Sequence, residues 1–111
     1  MNRTLLNASM IAMLDDLGAA EEVWEVFRQT TQPRLDELSA ALGEGDRERV
    51  RAIAHSLKGA AAQAGAKAMS ELSAELERGA LSLDDQGVIA RIEGLQVTWS
   101  NTLEAFRTRA T

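Results

Sequence analysis

The sequence predicts an all-α protein, an antiparallel up-down four-helix bundle with a short additional helix at its N-terminal end. Three observations carry that prediction. The composition favours helix: 45% of residues are hydrophobic, cysteine is absent, proline occurs once, and Ala, Leu, Glu and Arg outnumber β-branched residues. Apolar residues recur at three- and four-residue steps, and no convincing strand pattern interrupts them. Gly, Asp and Asn divide the chain into five segments, joined by connections short enough to make neighbouring helices antiparallel. At 111 residues, one domain over 1–111 is expected.

The first helix is expected over 8–16, with Asn7 as its N-cap and Gly18 near its end. The second is expected over 19–42, where Trp24, Phe27, Leu35, Leu38 and Leu42 form an apolar stripe and Thr31 fills its gap. Pro33 lies inside that span and is expected to kink or divide it, because proline lacks a backbone donor and clashes one turn back. Gly43, Glu44 and Gly45 end the second helix. Asp46 then caps a third reaching Ala64, with Val50, Ile53, Leu57, Ala60, Ala61 and Ala64 inward. Gly65 marks a turn into a fourth helix over 66–78, which buries Met69, Leu72 and Leu76. After a loop over 79–83, Asp84 or Asp85 caps a long last helix. Its stripe comprises Val88, Ile89, Ile92, Leu95, Trp99, Leu103 and Phe106.

Charge and composition exclude several functions. A formal net charge of -5 argues against a general nucleic-acid binder. Within it, residues 47–67 hold Arg47, Arg49, Arg51, Lys58 and Lys67 against Glu48 alone, a local +4 that leaves −9 elsewhere. That strip suits an acidic partner, or it is a solvated helix face. Without cysteine there are no disulfides, thiolate metal sites or cysteine nucleophiles. One histidine and no Glu-x-x-His pair make a metal centre improbable, and no Gly-rich phosphate loop marks a kinase. Neither a membrane span nor a signal peptide is legible, so a cytoplasmic location is expected.

His55 is the one residue out of phase with the core. Two steps of ~100° separate it from Leu57, which turns it about 160° away from that buried position and into water. Its neighbours at three and four residues are Arg51, Ala52, Lys58 and Gly59, with Ala62 a turn further. An interior helical glycine costs ~1 kcal/mol relative to alanine. Gly59 therefore either bares the backbone beside the imidazole for another molecule or packs against the adjoining helix. Lys58 offers a flexible positive charge suited to a phosphoryl group, or is an ordinary surface lysine. Ser56, adjacent to His55, points off its face, which argues against a serine–histidine hydrolase.

Hairpin geometry adds Glu77. If the third and fourth helices turn back at Gly65 and Ala66, His55 and Glu77 stand at equal heights, ~15–17 Å from the turn at 1.5 Å per residue. A carboxylate there can accept the Nδ1 proton and leave Nε2 as the free nucleophile; otherwise Glu77 is a solvated helix residue.

The run His55-Ser56-Leu57-Lys58-Gly59-Ala60, followed by Gly65 and by Leu76-Glu77, resembles the histidine-containing phosphotransfer (HPt) domain family. The resemblance spans nearly the whole chain. It implies phosphorylation of His55 on Nε2, assistance from Lys58, clearance at Gly59 and a hydrogen bond from the ring to Glu77. The implied function is that of a phosphocarrier in a multistep His-Asp phosphorelay, without autonomous kinase activity. Response-regulator receiver domains would dock over Arg51, Ala52, Gly59, Ala62 and Gln63, with a hybrid sensor histidine kinase as a further candidate partner. Arg47, Arg49 and Arg51 would steer the receiver, although Arg49 points elsewhere. No cofactor of the chain's own is expected; magnesium would come with the receiver, and the protein would be a monomer. Two other readings stay open: a non-catalytic helical interaction module, and a histidine phosphocarrier of a sugar-uptake system.

Overall fold

The computed structural model describes residues 3–109, and among them the regular structure is five α-helices with no strand. They are α1 (Ala8–Asp16), α2 (Ala20–Gly43), α3 (Arg47–Ala64), α4 (Lys67–Gly79) and α5 (Asp85–Thr108). Caps set the boundaries where they were expected. Asn7, Asp46 and Asp84 each accept a backbone N–H of the first turn, at Met10, Arg49 and Gly87, satisfying donors that the helix leaves unpaired. Between Asp84 and Asp85, Asp84 is thus the cap. α3 ends at Gly65, whose φ of 76° is left-handed and closes the helix onto the backbone carbonyls of Ala61 and Ala62.

α3 packs on α2 and α4, and α5 packs on α4 and α2, closing a four-helix bundle. Leu35, Leu38, Val50, Leu57, Met69, Leu76, Val88 and Leu95 fill its centre with almost no exposed area. At one end, Trp24 stacks on Phe106 (centroids 4.1 Å apart) and meets Phe27 edge-on, while its indole N–H donates to the Ala64 carbonyl at 2.8 Å. α1 sits across the α3–α4 turn. The Asn7 N–H donates to the Gly65 carbonyl at 2.8 Å, and Ile11 is buried in the core.

Two expectations need correction. Pro33 does not divide α2, which runs unbroken from Ala20 to Gly43. Pro33 and Gln29, one turn before it, are both exposed, so the carbonyl deprived of its partner faces water. Leu42, Ala60, Leu72, Ile89 and Leu103 were expected in the buried stripes but are only half-buried at the bundle's seams. Conversely, Ala54, roughly 100° round α3 from His55, is fully buried. Ala54, Ala61 and Ala64 of α3, Ala66 at the turn and Ala68 of α4 are all buried, and α3 and α4 pack directly on one another. No helix among the described residues is long and apolar enough to cross a membrane.

Candidate functional site

The close α3–α4 seam decides what stands on its outer edge. His55 projects from α3 with its side chain 69% exposed, while Glu77 rises from α4 beside it with only 20% exposed. The His55 Nδ1 lies 2.7 Å from Glu77 Oε2. An ionised carboxylate can only accept, so this contact requires the proton on Nδ1 and leaves the Nε2 lone pair directed outward.

Lys58 completes the group in a way the helical spacing did not suggest. Its ammonium donates to the other carboxylate oxygen, Glu77 Oε1, at 2.7 Å. Glu77 thus bridges two α3 side chains, one with each oxygen. The lysine hydrogen bond is the largest influence holding the Glu77 carboxyl below its ordinary value of 4.5; partial desolvation opposes it, and the His55 hydrogen bond reinforces it. One turn and three residues earlier on α4, Ser70 donates its hydroxyl to the Lys58 backbone carbonyl at 3.1 Å. Sequence reasoning passed over Ser70, because a serine on a helix is ordinary until its partner on the next helix is known.

Around the ring, Arg51, Ala52, Gly59, Ala62 and Gln63 are all exposed and lie within roughly 80° of His55 on the α3 surface. A Cβ built on Gly59 would meet nothing within 4 Å, so tight packing against a neighbouring helix does not explain this glycine. Gln63 also lines a groove between α3 and α2, walled by Val23, Val26 and Thr30, with Val26 56% exposed. That apolar margin was not foreseen, since Val26 lies off the buried stripe of α2.

The expected basic strip is largely spoken for. Arg47 donates to the Ala80 and Leu83 carbonyls at 2.9 and 2.8 Å and pairs with Asp85, so it fastens the α4–α5 connection and does not face a partner. Arg49 pairs with Glu37 on α2 at 3.7 Å, and Arg51 with Glu48 one turn back at 2.9 Å. Of these three, Arg51 stands nearest His55 around α3, about 40° away. Among the described residues, no group of three or more His, Asp or Glu side chains is placed to hold a metal ion.

An exposed imidazole with its Nδ1 occupied, beside a lysine and a bare helical surface, has the geometry that lets Nε2 act as a nucleophile towards a large visitor. Neither a curated protein nor a solved structure matches the chain significantly. A family model for the Hpt domain matches residues 22–109, covering this site and the bundle from the third residue of α2 onward, but not α1. The chain therefore belongs to the Hpt domain family, whose members carry out histidine phosphotransfer in phosphorelays and interact there with receiver domains and kinases.

Proposed function

We propose that this protein is a phosphocarrier that takes a phosphoryl group onto His55 from the aspartyl phosphate of one receiver domain and passes it to the aspartate of another. The observation that carries this reading is the pairing of Nδ1 with Glu77 on a ring otherwise open to solvent. The Nε2 lone pair attacks phosphorus in line with the bond to the aspartate oxygen. The N–P bond forms as the acyl-phosphate P–O bond breaks, and aspartate leaves as carboxylate. Glu77 keeps its hold on Nδ1–H and stabilises the positive charge that grows on the ring. Lys58, on a flexible stem, turns its ammonium from Glu77 to the incoming phosphoryl oxygens. Return transfer runs the same steps backwards.

The receiver docks over Arg51, Ala52, Gly59, Ala62 and Gln63, with the Val23–Val26 groove as an apolar margin of the same surface. Magnesium arrives on the receiver. A hybrid sensor histidine kinase supplies the phosphoryl group through its own receiver, and the carrier acts in the cytoplasm as a monomer.

Incubation with a radiolabelled phosphorylated receiver tests the reading. Label is expected to move to this protein as an acid-labile, alkali-stable adduct and to be absent from His55→Gln. Tight receiver binding without transfer would turn the assignment towards an interaction module.

A further inference from the structure

We propose that Ser70 is a positioning residue that pins the Lys58–Gly59 peptide of α3 to α4 and so holds His55, Lys58 and Glu77 in their shared geometry. The inference concerns the arrangement seen in the structure; its consequence for phosphate transfer rests on the reading above.

The need for such a pin follows from Gly59. Space over this residue is clear for 4 Å, and it contributes no side chain to hold its turn against a neighbour. Glycine inside a helix also leaves the backbone more freedom than any other residue. That loosened turn lies between His55 and Gln63, and Lys58 immediately precedes it. Helix α3 therefore has its weakest backbone point beside the two side chains whose placement matters most.

Ser70 acts at that point. Its Oγ donates, at 3.1 Å, to the Lys58 carbonyl, which belongs to the peptide unit joining Lys58 to Gly59. A helical carbonyl already serves the N–H four residues on, so its second lone pair is the one free to take a hydroxyl from another helix. Ser70 and Glu77 are seven residues apart on α4, nearly two turns, and so share one face about 10 Å apart along it. Ser70 thus fixes α4 to the α3 backbone at one height, while Glu77 fixes it to the side chains at another, with 2.7 Å contacts to His55 and Lys58. Two attachments at different heights add fixed points at the outer edge of the packed seam, where the site's side chains stand.

The test compares wild type with Ser70→Ala and Ser70→Thr, the latter keeping the hydroxyl. The first readout is the imidazole ¹⁵N spectrum of unphosphorylated protein, which reports the fraction of neutral His55 carrying its proton on Nδ1. The second is the rate of phosphoryl transfer from a phosphorylated receiver. Ser70→Ala is expected to move neutral His55 towards the Nε2–H form and to slow transfer about five-fold, the scale of one neutral hydrogen bond. Ser70→Thr is expected to restore both, with circular dichroism confirming the helical fold in each variant. If Ser70→Ala lowers the melting temperature alone, with tautomer and rate unchanged, Ser70 is a structural serine and the proposal is wrong. No change in any readout overturns it equally. The tautomer measurement needs no phosphate, so it decides the positioning role even if His55 never accepts a phosphoryl group.

Discussion

Two side chains of α3 share a single carboxylate from α4, and most of the site's chemistry follows from that sharing. Glu77 gives Oε2 to the His55 ring and Oε1 to the Lys58 ammonium. Substituting Lys58 by alanine is expected to leave the fold intact and slow transfer about ten-fold. That is below the ~10²-fold typical of an enclosed charge-stabilising donor, because Lys58 is 38% exposed and water screens it; stopped-flow or quench measurement of transfer checks it, and an unchanged rate removes Lys58 from the mechanism. His55 was legible because one phase argument separated it from Leu57, and Glu77 because equal height in a hairpin is simple geometry. The Lys58–Glu77 contact was not. It depends on where a long, rotatable side chain settles, and spacing along a helix does not encode that. The same limit hid the task of Arg47, whose partners at Ala80, Leu83 and Asp85 lie on another connection.

One glycine inside α3 and one just past its end have opposite roles. Gly59 has free space and a helical backbone, so Gly59→Ala is expected to raise stability by ~1 kcal/mol in chemical denaturation, the helix-propensity difference. Gly94 in α5 is equally unobstructed, and Gly94→Ala should give a similar gain with no change in transfer rate. Gly59→Leu, by contrast, is expected to keep the circular dichroism spectrum and lose receiver docking in a binding titration. Gly65 is the reverse case. Its φ of 76° is left-handed, and a Cβ there would come within 3.1 Å of the Met10 and Ile11 side chains. Gly65→Ala should therefore cost about 1–2 kcal/mol in the same denaturation experiment from backbone strain alone, and more if α1 is pushed off the turn. Helix positions were legible to within a residue or two, since caps and periodicity are local signals. The continuity of α2 through Pro33 was not: packing of Thr31, Leu35 and Leu38 into the core holds the helix together across a residue that locally opposes it.

At the scale of the whole molecule, the bundle's stability and its site are linked through pH. The Glu77 carboxyl is held below its ordinary value of 4.5, chiefly by the Lys58 hydrogen bond. A lowered folded-state value means that Glu77 stabilises the fold fully above 4.5. The contribution is lost as pH falls from there through the folded-state value. Wild type is thus expected to exceed Glu77→Gln in melting temperature at neutral pH, with the gap closing under acid conditions; a gap that persists at low pH would show that the carboxylate's charge is not its source. The overall acidity of the chain was plain from composition, but the local +4 of residues 47–67 overstated what a partner meets, because Arg47 and Arg49 pair with Asp85 and Glu37 outside that segment. On the proposed reading, recognition of a receiver then rests mainly on the bare surface around His55 and on the ring itself. The most direct measurement is the nitrogen to which phosphorus becomes attached, read from ³¹P–¹⁵N couplings in the phosphorylated protein. Attachment at Nε2, with the Nδ1 proton still bonded to Glu77, is the expected result; attachment at Nδ1, or a His55 ring that stays unmodified beside a phosphorylated receiver, would contradict the account.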